Sequence, residues 1–445
     1  MNKIKAALER ARDTKALIIG NGVVCRTAEM FNELFPGQKA IIVADENTWK
    51  VAGADAQKSL DEAGIISYPA FIFPSEDFYA EWKHVETLKA HLEQLDATAI
   101  AVGSGVINDT VKYVSYLLSS IYMCVGTAAS MDGFTAYGSS ITKDGNKQTF
   151  DCPAPFGFVL DSGIAAEAPK ELAASGYADL IAKIPAAADW MIADAVGSES
   201  IDPFAFSLVQ KNLRDALSDP DAVAAGDVTA VGKLAYELIM SGFAMQSILS
   251  SRPASGAEHL FSHYWDMEGL CHNGRHVPHG FSVAIGTLVS VACMEYLLNK
   301  DYTKIDIDAA VAKWPEWDDM EKHIREVFEG MPDHLARGLM ESKSKYVGRD
   351  IIRKQLMAVR DNWPELSGKI RDQILPFNVV RDCLKRAGAP YEPEMIGVSR
   401  EKLRKTFRAI PFMRDRFTGI DLIYRAGLMD EVEAYLFGKG GIYEC

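Results

Sequence analysis

The chain has 445 residues, 48% hydrophobic and 24% charged, an ordinary globular balance with material for two or three packed domains. A formal net charge of −14, with no block of Lys or Arg, argues against a nucleic-acid or anionic-membrane surface. Seven scattered cysteines, an odd number with no CxxC pair, exclude a disulfide framework and a thiolate zinc site.

The opening MNKIKAALERARDTK has the pattern of a charged amphipathic helix and not of a signal peptide. No apolar run is expected to reach membrane-spanning length, so a cytoplasmic protein is expected. KALIIGNGV (15–23) reads as a short buried strand closing on Gly20 and Gly22. A helix follows, then KAIIVADENTW, a second apolar strand that closes on Asp45. Strand, glycine turn, helix and a strand ending in an acid is the order of dinucleotide-binding units, in which the acid bonds a ribose hydroxyl. The GxGxxG spacing is incomplete, however, and Gly20 and Gly22 read equally well as a plain turn.

The next stretch, ATAIAVGSGVINDTVKY, reads as a strand over 97–102, a loop Gly103-Ser104-Gly105, and a helix from Val106. Such glycines let backbone approach a ligand, and the helix start offers N–H groups to a phosphate. Asn108 and Asp109 lie in its first turn, placed to cap it or hold the loop. The following strand ends in small residues, Gly126 to Ser130, with Asp132 and Gly133 just beyond. Two strand ends shaped for a ligand in succession favour nucleotide binding over plain turns. Asp144-Gly145 marks a hairpin, 156–160 is the last expected strand, and the pattern from Ala165 onward is helical. We therefore expect an α/β dinucleotide-binding domain over 1–162 and a helical domain over 163–445.

In the helical part, Asp179 lies on an otherwise apolar helix, either as an exposed or capping Asp or as a buried carboxylate that requires a partner or a metal. Lys183 at i+4 is one such partner. The stretch 250–286 holds five of the nine histidines. His259 and His263, four apart, share a helix face. His279 opens a second helix after a polar loop, so that one imidazole from each helix can face a divalent ion, with Asp179 completing a His₂Asp set. Core or capping histidines are the alternative. Arg252 and Ser255 are placed either to receive a phosphate or to cap the helix. The run 314–339 reads as a solvated polar face.

Taken together, VGSGVINDTVKY, GTAASMDGFT, SGYADLIAK…ADW, SRPASGAEHLFSHYWDM, HGFSVAIGT, LKRAGAP and RDRFTGIDLI resemble the sn-glycerol-1-phosphate dehydrogenase family, within the iron-dependent alcohol dehydrogenase and dehydroquinate synthase superfamily. The resemblance implies a Rossmann-like domain followed by an all-α metal-binding domain. It implies Asp179, His259 and His279 as ligands of one divalent metal, zinc first, with nickel or iron as alternatives. It implies Gly103, Ser104, Gly105, Val106, Ile107, Thr127, Ala128, Ala129 and Ser130 as contacts of NAD or NADP, with Asp45 near the adenosine ribose. Asp132 and His263 would touch the substrate. The reaction implied is reduction of dihydroxyacetone phosphate to sn-glycerol 1-phosphate, in a homo-oligomer without nucleic-acid or membrane partners. Ala136 stands where the family pattern has a serine that contacts the cofactor, so that contact is left out, and His272 and His276 are extra. A polyol dehydrogenase, a dehydroquinate synthase relative and a nucleotide sensor without chemistry are the competing readings.

Overall fold

The computed structural model describes residues 3–76 and 78–445; the first two residues of the expected opening helix lie outside these. After a helix at Lys3–Arg10 come β1 (Ala16–Gly20), β2 (Ala40–Asp45), β3 (Phe71–Phe73), β4 (Thr98–Gly103), β5 (Met123–Gly126), β6 (Ser139–Lys143), β7 (Asn146–Phe150) and β8 (Gly157–Asp161). Six of these form one sheet in the order β1-β8-β5-β4-β2-β3, with every pairing parallel. Every residue of β2, β4, β5 and β8 is buried. That is why these strands read as continuous apolar runs and not as alternating ones. β6 and β7 form a separate antiparallel hairpin whose turn, Asp144 at φ 52° and Gly145 at φ 80°, matches the twist of its strands.

The order of the sheet fixes where a ligand can sit. The chain leaves β2 outward to β3 and leaves β4 the other way to β5, so the connections after these two neighbours diverge. The crevice at such a divergence is the common ligand position of parallel α/β sheets. Val43 pairs with Ala101, which brings both strands to an end two residues later, at Asp45 and Gly103.

The chain forms two compact units: Met1–Leu180 with Ser207–Ser251 and Arg386–Gly388, and Ile181–Phe206 with Arg252–Lys385 and Ala389–Cys445. Strands give way to helices after Asp161, near the expected boundary, but the first unit keeps helices beyond it. The Val228–Ile248 helix is tied to the sheet's surroundings by specific bonds. Gln246 Oε1 accepts from the backbone N–H of Asp13 and Thr14 at 3.1 and 3.3 Å, and Thr135 Oγ1 donates to the Ile239 carbonyl at 3.0 Å.

The second unit is helical around a core that includes Phe261, Trp265, Ile324, Phe328 and Trp363. Two expectations are corrected here. The 314–339 run is not solvated throughout, because Trp314, Met320, Ile324 and Phe328 are buried in that core and Trp317, Val327 and Leu335 pack against it, while its polar residues are mostly exposed. The His279–Asn299 helix is long and apolar enough to cross a membrane by length and composition, although most of it is buried inside the protein. A core helix of a large domain, apolar on all sides, has that same composition.

Candidate metal and dinucleotide site

In the first unit, the expected dinucleotide residues gather at the carboxyl ends of β2, β4 and β5. Gly103 pairs with Gly126, and Thr127 N–H donates to the Gly103 carbonyl at 3.1 Å, so the two small-residue loops lie side by side. The glycines have an internal reason to be there. A Cβ at Gly103 would come within 2.7 Å of Ile107, and one at Gly105 would strike Met131. The loop therefore turns tightly into the Gly105–Leu117 helix, whose first N–H groups have no intrahelical acceptor.

Asn108 and Asp109 do not cap this helix; both are buried. Tyr122 Oη donates to Asn108 Oδ1 at 2.9 Å. Burial raises the Asp109 carboxyl, and Lys112, 3.8 Å away, opposes the rise. The Lys112 ammonium also donates to the carbonyls of Gly133, Ala136 and Gly138 at 2.9 to 3.0 Å. This turn of helix thus holds down the segment that carries Asp132.

Asp132 and Asp179 are linked directly. The Asp132 N–H donates to Asp179 Oδ2 at 2.9 Å, and Ser241 Oγ donates to Asp132 Oδ2 at 3.1 Å. Asp179 is fully buried on the Lys170–Ile181 helix. That helix approaches the 127–130 loop through Gly176, where a Cβ would overlap the Ala129 carbonyl, and through Ser175 Oγ, which donates to the Ser130 carbonyl at 3.2 Å. Asp45 has a local task that the sequence reading did not foresee. Its Oδ1 accepts from Asn47 N and Thr48 N at 2.8 and 2.9 Å, which caps the next short helix.

In the second unit, the Ala257–Met267 and His279–Asn299 helices carry the three expected histidines. They cross closely because a Cβ at Gly286 would collide with the Glu258 backbone. The His259 and His279 rings are 5.4 Å apart between centroids, and His259 and His263 6.4 Å. Glu258 Oε1 lies 2.8 Å from His259 Nδ1 and also accepts from the Gly256 N–H at 2.6 Å. A carboxylate there accepts a hydrogen bond from Nδ1–H and so keeps the imidazole lone pair on Nε2, as a metal-ligating histidine requires. Ser262 Oγ stands 3.3 Å from His279 Nδ1. Burial holds the His263 imidazole well below its ordinary value, reinforced by Arg414, His259, His279 and Arg337, so it is neutral near pH 7.

Sequence reasoning missed two supports of this helix. Asp189 accepts from Ala257 N and from Gly419 N, each at 2.6 Å, and so fastens the start of the histidine helix to a distant loop. Burial, then the nearby Glu258, raises its carboxyl to about 7. The second support is Glu258, which the sequence shows only as the neighbour of His259. Arg252 is fully buried, 3.3 Å from Glu199, with Asp189, Glu258 and Asp421 also acting on it. A guanidinium set among carboxylates balances their charge, which weakens its reading as a phosphate receptor. Its neighbour Ser255 gives its carbonyl to Arg416 Nη1 at 2.6 Å. The extra histidines lie on the small Cys271–His276 hairpin, where His276 is exposed.

The family model described as iron-containing alcohol dehydrogenase matches residues 18–169. Among solved structures, an iron-containing alcohol dehydrogenase of Thermococcus thioreducens aligns over 95% of this chain and 98% of its own, with a TM-score of 0.61 at 15% identity. A glycerol dehydrogenase of Schizosaccharomyces pombe aligns over 95% and 89%, with a TM-score of 0.59 at 17% identity. A parallel sheet with a glycine loop, followed by a helical part with clustered histidines, is thus the iron-containing alcohol dehydrogenase fold. At the level of sequence, the glycerol-1-phosphate dehydrogenase (NAD(P)+) of Pyrococcus furiosus is 31% identical over 291 residues, covering 65% of this chain and 80% of its own. That of Bacillus licheniformis is 29% identical over 429 residues, covering 95% and 91%. The chain belongs to the glycerol-1-phosphate dehydrogenase family.

Proposed function

We propose that the protein interconverts dihydroxyacetone phosphate and sn-glycerol 1-phosphate with NADH or NADPH, using one divalent metal held by Asp179, His259 and His279. The observation that carries the metal is Glu258 Oε1 on His259 Nδ1, 2.8 Å, beside a second imidazole 5.4 Å away between ring centroids. Asp179, His259 and His279 each offer one ligand atom, and a set of two imidazoles and one carboxylate suits zinc first, with nickel or iron accepted as well. Such an ion supplies Lewis acidity to the ketone oxygen of the substrate.

The remaining roles belong to the chain itself. Gly103 to Ile107 and Thr127 to Ser130 would seat the dinucleotide, the helix start at Gly105 facing its phosphates. Asp45, at the end of β2, would meet the adenosine ribose; its second carboxylate oxygen is not the one that caps the next helix, and an acid there favours NAD over NADP. Asp132, braced by Ser241 and by its own N–H on Asp179, would orient a substrate hydroxyl. His263, neutral near pH 7, can accept a hydrogen bond at a ring nitrogen and relay the hydroxyl proton. We place the protein in the cytoplasm as a homo-oligomer.

The test is NADH oxidation by the full-length protein, stripped of metal and reloaded with zinc, nickel or iron singly. Dihydroxyacetone phosphate is compared with dihydroxyacetone. Metal-dependent turnover of the phosphate ester alone is expected. Equal or better turnover of dihydroxyacetone would move the protein to the polyol dehydrogenases, and binding of NADH without turnover of either would leave a sensor.

A further inference from the structure

If the substrate is a phosphate monoester, some cationic group must receive its dianion, and Arg252, buried among carboxylates, is poorly suited to do so. A different arginine is better placed. Arg414 lies in the short loop between the Ile410–Phe412 turn and the Gly419–Arg425 helix. The loop is fastened on both sides of it. Arg337 Nε donates to the Met413 carbonyl at 3.3 Å, Asp415 N–H donates to Glu341 Oε2 at 3.0 Å, and Arg416 Nη1 donates to the Ser255 carbonyl at 2.6 Å. The backbone on either side of Arg414 is therefore held, yet among the described residues its guanidinium makes no hydrogen bond or ion pair.

We infer that Arg414, with Arg337 beside it, is the specificity-determining receptor for the phosphate of the substrate. The inference rests on the proposed reaction and names the part of the site that distinguishes a phosphorylated substrate from a free polyol. Three further observations support it. Arg414 is only partly exposed, and its guanidinium is destabilised first by burial and then by the charge of Arg337. Glu341, Asp415 and Glu199 offset this in part, but Glu341 is already engaged by Arg337 Nη2 at 3.5 Å. The Pro332–Lys345 helix joins this loop to the histidine helix: His334 Nε2 lies 3.0 Å from the carbonyl of Tyr264, the residue after His263, and Arg337, three positions on, holds the Met413 carbonyl. Two neighbouring guanidiniums favour an anion between them, and the planar fork of arginine matches the oxygens of a phosphate.

The test uses the full-length, zinc-loaded protein with NADH, with inorganic phosphate as competitor of dihydroxyacetone phosphate. In Arg414→Gln, KM for dihydroxyacetone phosphate is expected to rise about 30-fold, within the range for losing a hydrogen bond to a charged group. The inhibition constant of phosphate should rise by a similar factor while kcat changes by less than about threefold. Arg414→Lys keeps the charge but not the fork, and should fall between the two; it also decides the matter if the Gln variant fails to fold. A variant that melts like the wild type and binds phosphate within twofold of it overturns the inference, as does a wild type that binds no phosphate. If the wild type does not turn over dihydroxyacetone phosphate yet binds phosphate through Arg414, the anion site stands and the proposed reaction falls.

Discussion

Glu258→Gln tests the proposed metal centre without altering its shape. One oxygen, Oε1, serves both the Gly256 N–H and the His259 ring, while Oε2 is buried with no hydrogen-bond partner among the described residues. Glutamine retains an acceptor in the Oε1 position but removes the charge that makes the imidazole a strong donor to a metal. Loss of such a supporting carboxylate typically weakens metal affinity by about 10- to 100-fold, or roughly 1.4–2.7 kcal/mol. Stability of the metal-free protein should change far less. A negative charge at a helix start is worth about 0.3–1 kcal/mol, and here its removal also relieves repulsion with the buried Asp189. Glu258→Ala should behave differently, because it strands the buried Gly256 N–H at a cost of about 1–3 kcal/mol. The assay is zinc competition against a calibrated chelator, together with thermal melting of the apoprotein. If Glu258→Gln binds zinc within twofold of the wild type, His259 is not oriented by this carboxylate and the reasoning fails.

Three further outcomes are expected. Asp132→Asn keeps its backbone bond to Asp179 but loses its charge, so kcat should fall on the order of 100-fold while NADH affinity, read by fluorescence titration, stays within twofold; a parallel loss of NADH binding would assign Asp132 to the cofactor instead. Gly176→Ala drives a methyl into the Ala129 carbonyl, which should destabilise the protein by about 1–3 kcal/mol and weaken NADH binding through the 127–130 loop. An unchanged melting temperature would show that the helix can back away. Alkylation with iodoacetamide followed by mass spectrometry should label the exposed Cys25, Cys271 and Cys445 in the native state. Cys124, Cys152 and Cys293 should resist until urea is added, the Cys152 thiol being pushed up to about 12 by burial. Native labelling of Cys152 at the rate of Cys25 would contradict its burial.

Much of the first unit was legible because a parallel sheet covered on both faces writes itself as apolar runs, and because the glycine loops and the Asp144-Gly145 turn are local signals. The histidines were legible as well, since a spacing of four on a helix places two rings on one face. What the sequence concealed depends on contacts between distant segments. Asp189 fastens Ala257, 68 positions away, and nothing near either residue announces it. Glu258 was visible only as a neighbour of His259, because an adjacent residue on a helix does not ordinarily reach the next ring; here its Oε1 does so while also holding the Gly256 N–H. The glycines at 103 and 105 were assigned to a ligand, whereas Ile107 and Met131 already require them. The polar content of 314–339 masked an apolar stripe that the helical period would have brought out.

The close crossing at Gly286 has a consequence for how such a protein can change. The spacing of the His259 and His279 rings is set where one helix backbone rests on another, so it is insensitive to side-chain exchange elsewhere on those helices. Arg414, by contrast, hangs from a loop fastened through its neighbours' backbone atoms, and its own side chain is not part of that fastening. Substitution at position 414 can therefore alter which substrate is accepted while the frame around the imidazoles stays fixed. Selectivity and reactivity can drift independently within one helical unit.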